Sequence, residues 1–202
     1  MKRLVFLCAV LVLTGCGLHR QTVRIEPPEE HANPLDGKPI VLAAIVDARA
    51  PSTDLQLDAS DLSRNVGGSG RGGNGFAVQL EDGTVADRMR DIIVQSLRGM
   101  GYKVVDAATP NEIPRVQVKI TQFAVTIPFQ FWRAATYQTR MLADISAEVT
   151  LTKAAGASQT FTVKGHGYNV YQRVIPENWQ IALNKAVADF SRNFQSKMAE
   201  VQ

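Results

Sequence analysis

Between Arg115 and Tyr171 the chain alternates apolar and polar residues over three successive runs, and no other feature constrains the fold as much. Val116, Val118 and Ile120 point one way and Gln117 and Lys119 the other, and the run continues through Phe123 to Pro128. From Arg140 to Thr152 the alternation is cleaner. Met141, Ala143, Ile145, Ala147, Val149 and Leu151 face a core, while Asp144, Ser146, Glu148, Thr150 and Thr152 face water. Ala155-Gly156-Ala157 makes a turn, and Thr160 to Tyr171 returns as a third antiparallel strand. A period of two excludes a helix, because successive side chains on a strand point to opposite faces. One-sided burial also leaves the other face of the sheet open to solvent or to a partner.

Two segments carry the helical period instead. Thr84 can cap a helix, with Asp87 three residues on and near the positive end of the dipole. Val85, Met89, Ile92, Ile93, Leu97 and Met100 then share a face, and Gly99 and Gly101 end the helix. From about Glu177, Trp179, Leu183, Ala186, Val187, Phe190, Phe194 and Met198 form an apolar stripe, backed by Lys185, Asp189, Arg192 and Lys197. Ile40 to Val46 reads as a strand buried on both faces, and Tyr102 to Val105 as a short strand. Asp47 to Gly83 reads as one long polar loop holding the tract Gly67 to Gly75. The order β-α-β-β-β-β-α predicts an α+β fold. It is a mixed, largely antiparallel sheet of four to five strands, with two helices packed on one face.

The first residues read as targeting rather than structure. Lys2 and Arg3 precede an apolar run from Leu4 to Leu13, too short to span a bilayer as a helix, which needs about 20 residues. Leu13-Thr14-Gly15-Cys16 follows, and it resembles the signal of bacterial lipoproteins. That resemblance implies diacylation of the Cys16 thiol and cleavage before it. Gly17, where an aspartate would hold an enterobacterial lipoprotein in the inner membrane, implies the periplasmic face of the outer membrane. The expected organisation is a signal peptide over 1–15, a lipidated N-terminus and flexible tether over 16–37, and a single α+β domain over 38–202. Pro27, Pro28 and Pro34 give the tether its extended character.

Charge and cysteine content then exclude several function classes. The chain has 22 Lys and Arg against 19 Asp and Glu, and Lys2 and Arg3 leave with the signal, so 20 face 19. No basic cluster remains to track phosphates, which argues against a nucleic-acid partner. Of the two cysteines, Cys8 departs and Cys16 is committed to lipid, leaving none for a disulfide or a thiolate metal site.

With the elements placed, the chain resembles the YajG-like family of bacterial lipoproteins. The resemblance rests on Cys16, on the strand ending Val46-Asp47-Ala48-Arg49, and on the helix running into Leu97-Arg98-Gly99-Met100-Gly101-Tyr102-Lys103-Val104. Antiparallel strands before a long final helix complete it. The Gly67–Gly75 tract is richer in glycine than that family's pattern, and Pro128–Trp132 is more aromatic. The resemblance carries over one functional residue, Cys16.

Candidate chemistry elsewhere is sparse. Gly68-x-Gly70-x-x-Gly73 matches a dinucleotide fingerprint, but it lacks the adjoining strand and helix that would aim amides at a phosphate. His166, between Gly165 and Gly167, reads as an isolated strand residue where backbones approach closely. No catalytic group, metal site or cofactor is expected. Phe129, Phe131 and Trp132 fall between two strands, where polar residues are usual, and form the candidate partner contact. The reading is a non-enzymatic interaction or assembly module, held to the outer membrane through Cys16 and bound to an envelope protein. The alternative is an auxiliary lipid carrier of an ABC-type transport system, which would need a deep apolar cavity.

Overall fold

The three alternating segments form the backbone of the fold as an antiparallel ladder. Strands β6 (Arg115–Thr126), β7 (Thr139–Thr152) and β8 (Ser158–Tyr171) pair in register from Arg115↔Thr152 to Thr126↔Leu142, and from Thr139↔Tyr171 to Thr152↔Ser158. The computed structural model describes residues 19–50, 59–71, 74–105, 112–128 and 139–201. Its other elements are β1 (His19–Val23), β2 (Lys38–Asp47), a helical turn α1 (Ala59–Leu62), β3 (Asn65–Arg71) and β4 (Asn74–Leu80). Helix α2 (Val85–Gly99), β5 (Tyr102–Val105) and helix α3 (Pro176–Glu200) complete them.

Strand β6 is where the sheet forks. One edge pairs with β7 throughout, while the other is shared between two strands. Strand β2 runs parallel to β6 from Val41↔Arg115 to Asp47↔Ile120, and β3 takes over at Gly67↔Val125 and Gly68↔Thr126. Strand β5 extends the β2 branch, and β4 then β1 extend the β3 branch. A register shift in β6 between Ile120 and Gln122 sits at the fork, where an extra residue lets the strand bend.

Arg49 closes the gap that the fork opens. Its Nε and Nη2 donate to the two carboxylate oxygens of Asp47, both at 2.8 Å. Nη1 donates to the carbonyls of Asn65 (2.6 Å) and Phe123 (3.1 Å), and Nη2 also donates to that of Leu62 (3.0 Å). One guanidinium thus ties β2, α1, β3 and β6 together, using the planar fork of donors that lysine lacks.

Both long helices pack on one face, as their stripes predict. In α2, Val85, Met89, Ile92, Ile93 and Leu97 are buried, and they share one core with Trp179, Leu183, Phe190 and Phe194 of α3. Thr84 caps α2 reciprocally with Asp87: the Asp87 amide donates to Thr84 Oγ1 at 3.2 Å, and Asp87 Oδ2 accepts from the Thr84 amide at 2.8 Å. That amide, followed by the Thr84 hydroxyl, holds the Asp87 carboxyl below its usual value of 3.8. Burial raises Asp91, one turn on. Gly101, at φ +83, takes the left-handed position after the helix. Helix α3 begins with Pro176, whose missing amide is no loss in a first turn.

The architecture departs from the sequence reading in three ways. Among the described residues the sheet has eight strands rather than four to five. Four of its seven pairings (β1–β4, β2–β5, β2–β6 and β3–β6) are parallel, so it is not largely antiparallel. The physical reason is β6, whose second edge recruits two strands that run its own way. The expected 47–83 loop instead holds the β3–β4 hairpin, and the glycines have a packing role there. A Cβ on Gly67, at φ +110, would sit 2.3 Å from the Val125 carbonyl, and one on Gly68 would sit 1.9 Å from that of Phe76. Lastly, residues read as tether belong to the packed domain from His19 onward. Strand β1 pairs with β4, Val23 and Ile25 are buried, and the His31 amide donates to Gln95 on α2 at 2.8 Å.

Candidate functional site

The chain direction of each strand gathers several element ends at one end of the sheet. Strand β3 runs parallel to β6, and β1 runs parallel to β4, so the start of β1 lies beside the β3–β4 hairpin and the end of β6. Antiparallel pairing brings the start of β7 and the end of β8 to that same end. Helix α3 starts there and folds back across the sheet.

Gln21 of β1 ties the two sides of this end together. Its side-chain amide donates to the Val174 carbonyl at 3.2 Å and its oxygen accepts from Trp179 Nε1 at 2.7 Å. Asn178 donates to the Arg173 carbonyl at 2.9 Å, and Asn169 donates to the Asn178 carbonyl at 3.2 Å. The turn from β8 into α3 is therefore held from beneath by amide side chains. Above it lies an open depression of about 520 Å³, lined by Val170, Tyr171, Gln172, Arg173, Ile175 and Asn178. Tyr168, Val170 and Ile175 keep 50%, 40% and 41% of their surface exposed there, which is high for apolar residues within one short stretch. Arg140 lies 4.8 Å and Lys185 5.6 Å from the centre of the Tyr168 ring, both in cation–π range.

The neighbouring edge of β8 is closed by α3. Lys185 donates to the Tyr168 carbonyl (3.1 Å), Asp189 accepts from the His166 amide (3.0 Å), and Asn193 donates to the Lys164 carbonyl (2.8 Å). Residues four apart on the helix thus meet residues two apart on the strand. This contact requires glycine underneath. A Cβ on Gly165 would lie 2.3 Å from the Ala186 carbonyl, and one on Gly167 would lie 2.1 Å from that of Ala182.

The backbone approach predicted around His166 is therefore present, but the imidazole itself is not isolated. On the open face His166 Nδ1 lies 2.7 Å from Asp144 Oδ1, its direct cross-strand neighbour. The register of β7 on β8 creates this pair, and alternation within either strand alone could not reveal it. The pair sits on an exposed sheet surface, with side chains 51% and 39% accessible. Among the described residues no hydroxyl is hydrogen-bonded to the imidazole, so a nucleophile–base arrangement is not assembled. Nor does any group of three or more metal-ligating side chains occur among them.

Cys16, Phe129, Phe131 and Trp132, the residues singled out from sequence, lie outside the described residues. The flanking described positions are Pro128 and Thr139 for the aromatic segment and His19 for Cys16.

No protein-family model and no curated protein matches this chain. Solved structures similar to it include bacterial lipoproteins. A Xanthomonas campestris protein of family DUF330 is 12% identical, with a TM-score of 0.43, over 92% of this chain and 99% of its own. A minor lipoprotein of Acinetobacter baumannii is 13% identical (TM-score 0.36; 81% of this chain, 97% of its own). Lipoprotein GNA1162 of Neisseria meningitidis is 9% identical (TM-score 0.36; 80% and 97%).

Proposed function

We propose that this chain is a YajG-like lipoprotein, anchored through Cys16 to the periplasmic face of the outer membrane and acting there as a non-enzymatic interaction or assembly module. The anchor rests on the Leu13–Cys16 sequence. Two or three acyl chains, at roughly 0.8 kcal/mol per buried methylene, make such attachment effectively permanent. The observation that carries the module reading over a lipid carrier is the seating of α3 on Gly165 and Gly167. Backbone there lies where a Cβ would be, so no acyl chain fits between helix and sheet at that point. Contacts with an envelope protein are assigned to Phe129, Phe131 and Trp132, large apolar residues of the kind that dominate binding when they fill a pocket.

The test joins the two halves. Metabolic acyl labelling should mark wild-type protein and not Cys16→Ser. Photo-cross-linking from position 131 in cells should capture a defined envelope protein, and Phe131→Ser, Trp132→Ser should abolish its co-purification without lowering Tm. A loss of several kcal/mol in that double variant would return these aromatics to the core.

A further inference from the structure

We infer that the end of the domain around Tyr168, Val170 and Ile175 faces the lipid surface and rests on anionic headgroups. This deepens the anchoring through Cys16 and rests on it. Only Gly17 and Leu18 separate Cys16 from β1, so the anchor has almost no free linker. Gln21, five residues after Cys16, is hydrogen-bonded to the Val174 carbonyl. Five residues span at most about 17 Å, so the lipidated sulfur must lie within roughly that distance of the turn carrying Val174 and Ile175, plus one side chain. A domain tied this closely to a bilayer cannot turn its opposite end toward it. The β7–β8 hairpin at Gly156 lies a full fourteen-residue strand away, about 45 Å by strand rise.

The chemistry of this end fits that neighbour. Three partly apolar side chains stand exposed, and Tyr168 is of the type that settles at headgroup depth. Arg140 and Lys185 flank its ring, and Arg173 is exposed on the turn. Facing them, Glu177 in the first turn of α3 is the acidic group of this turn, and Asp144 is engaged by His166 further along the face. The balance is cationic, and each Lys or Arg near an anionic surface adds to the attraction.

The test uses full-length lipidated protein in phosphatidylethanolamine vesicles with and without phosphatidylglycerol. With Cys8 removed and Cys16 acylated, an Ile175→Cys variant offers a single thiol for an environment-sensitive fluorophore. Ala155→Cys, on the distant hairpin, is the control, and Tm confirms that both variants fold. The label at 175 should shift to the blue and be quenched several-fold more strongly by brominated lipid than the label at 155. Phosphatidylglycerol should deepen this contrast, and Arg173→Glu should remove that deepening. Equal quenching at the two positions in protein whose Cys16 is acylated overturns the orientation. Absence of acyl label on Cys16 overturns instead the anchoring on which it rests.

Discussion

Asp47 grips Arg49 two residues away through both carboxylate oxygens, each at 2.8 Å, and so aims its guanidinium at carbonyls of three other segments. The arginine is 14% accessible and the aspartate 24%, so water is a poor substitute for either partner. Arg49→Lys keeps the charge and loses the geometry. It should cost about 2–4 kcal/mol, since hydrogen bonds to charged groups contribute roughly 1.5–3 each and several are lost together. Chemical denaturation of the two proteins checks this. A change below about 0.5 kcal/mol would mean that the fork is held by pairing alone.

The glycines of β8 and of its turn should respond differently to the same substitution. Gly165→Ala places a Cβ against the α3 backbone and should destabilise by about 3 kcal/mol or more, since helix and strand must separate. Gly156→Ala meets nothing within 4 Å and is strained by φ +84 alone, at about 1 kcal/mol. Thermal melts of the pair give the order, and reversal would mean that α3 does not seat on Gly165.

The cap of α2 predicts a pH dependence. Asp87 has its folded-state pKa lowered, so its contribution to stability is present above 3.8 and is lost as pH falls through the lower folded value. Asp87→Asn should therefore flatten the acid limb of the stability curve below about pH 4, and Thr84→Ala should do the same while costing about 1 kcal/mol at neutrality. Asp91 acts in the opposite sense. Raised by burial, it gives up stability as pH rises from 3.8 toward its folded value. Urea midpoints measured from pH 2.5 to 7 for the three proteins separate these effects.

Helix α3 offers a test of orientation. Phe190 is fully buried mid-stripe, and Phe190→Ala should cost about 3–5 kcal/mol through lost burial and the cavity left. Arg192 is 73% exposed, and its contact with Asp189 is 3.5 Å long, so Arg192→Ala should stay within about 0.5 kcal/mol. Equal losses would place the helix in a different rotation.

What was legible in the sequence is the part whose pattern is long and one-sided. The stripes of α2 and α3 and the alternation of β6 to β8 each repeat over several turns or pleats, so their buried faces follow from local spacing. Strands β1, β3 and β4 lack that redundancy. Strand β1 is five residues long, and β3 contains three glycines, which hide any alternation. Phe76-Ala77-Val78-Gln79-Leu80, an apolar run before the Asp82-Gly83 turn, was the available sign of β4. The roles of Arg49, His166 and Gln21 depend on register and on contacts between distant segments. Such contacts leave no trace in spacing along the chain.

The fork at β6 also sets when this protein can begin to fold. Without that strand, the described strands before residue 106 pair only as two separate ribbons, β1–β4–β3 and β2–β5, with no strand pairing between them and the Arg49 side chain bridging the gap. Joining them means closing loops of 74 residues, from Val41 to Arg115, and 58 residues, from Gly67 to Val125. Closures of that length favour slow, late assembly. A chain delivered N-terminus first would thus remain uncommitted until more than half of it had arrived, the condition in which a polypeptide can still be threaded through a narrow passage. Truncation before Arg115 should yield a product with no cooperative unfolding transition.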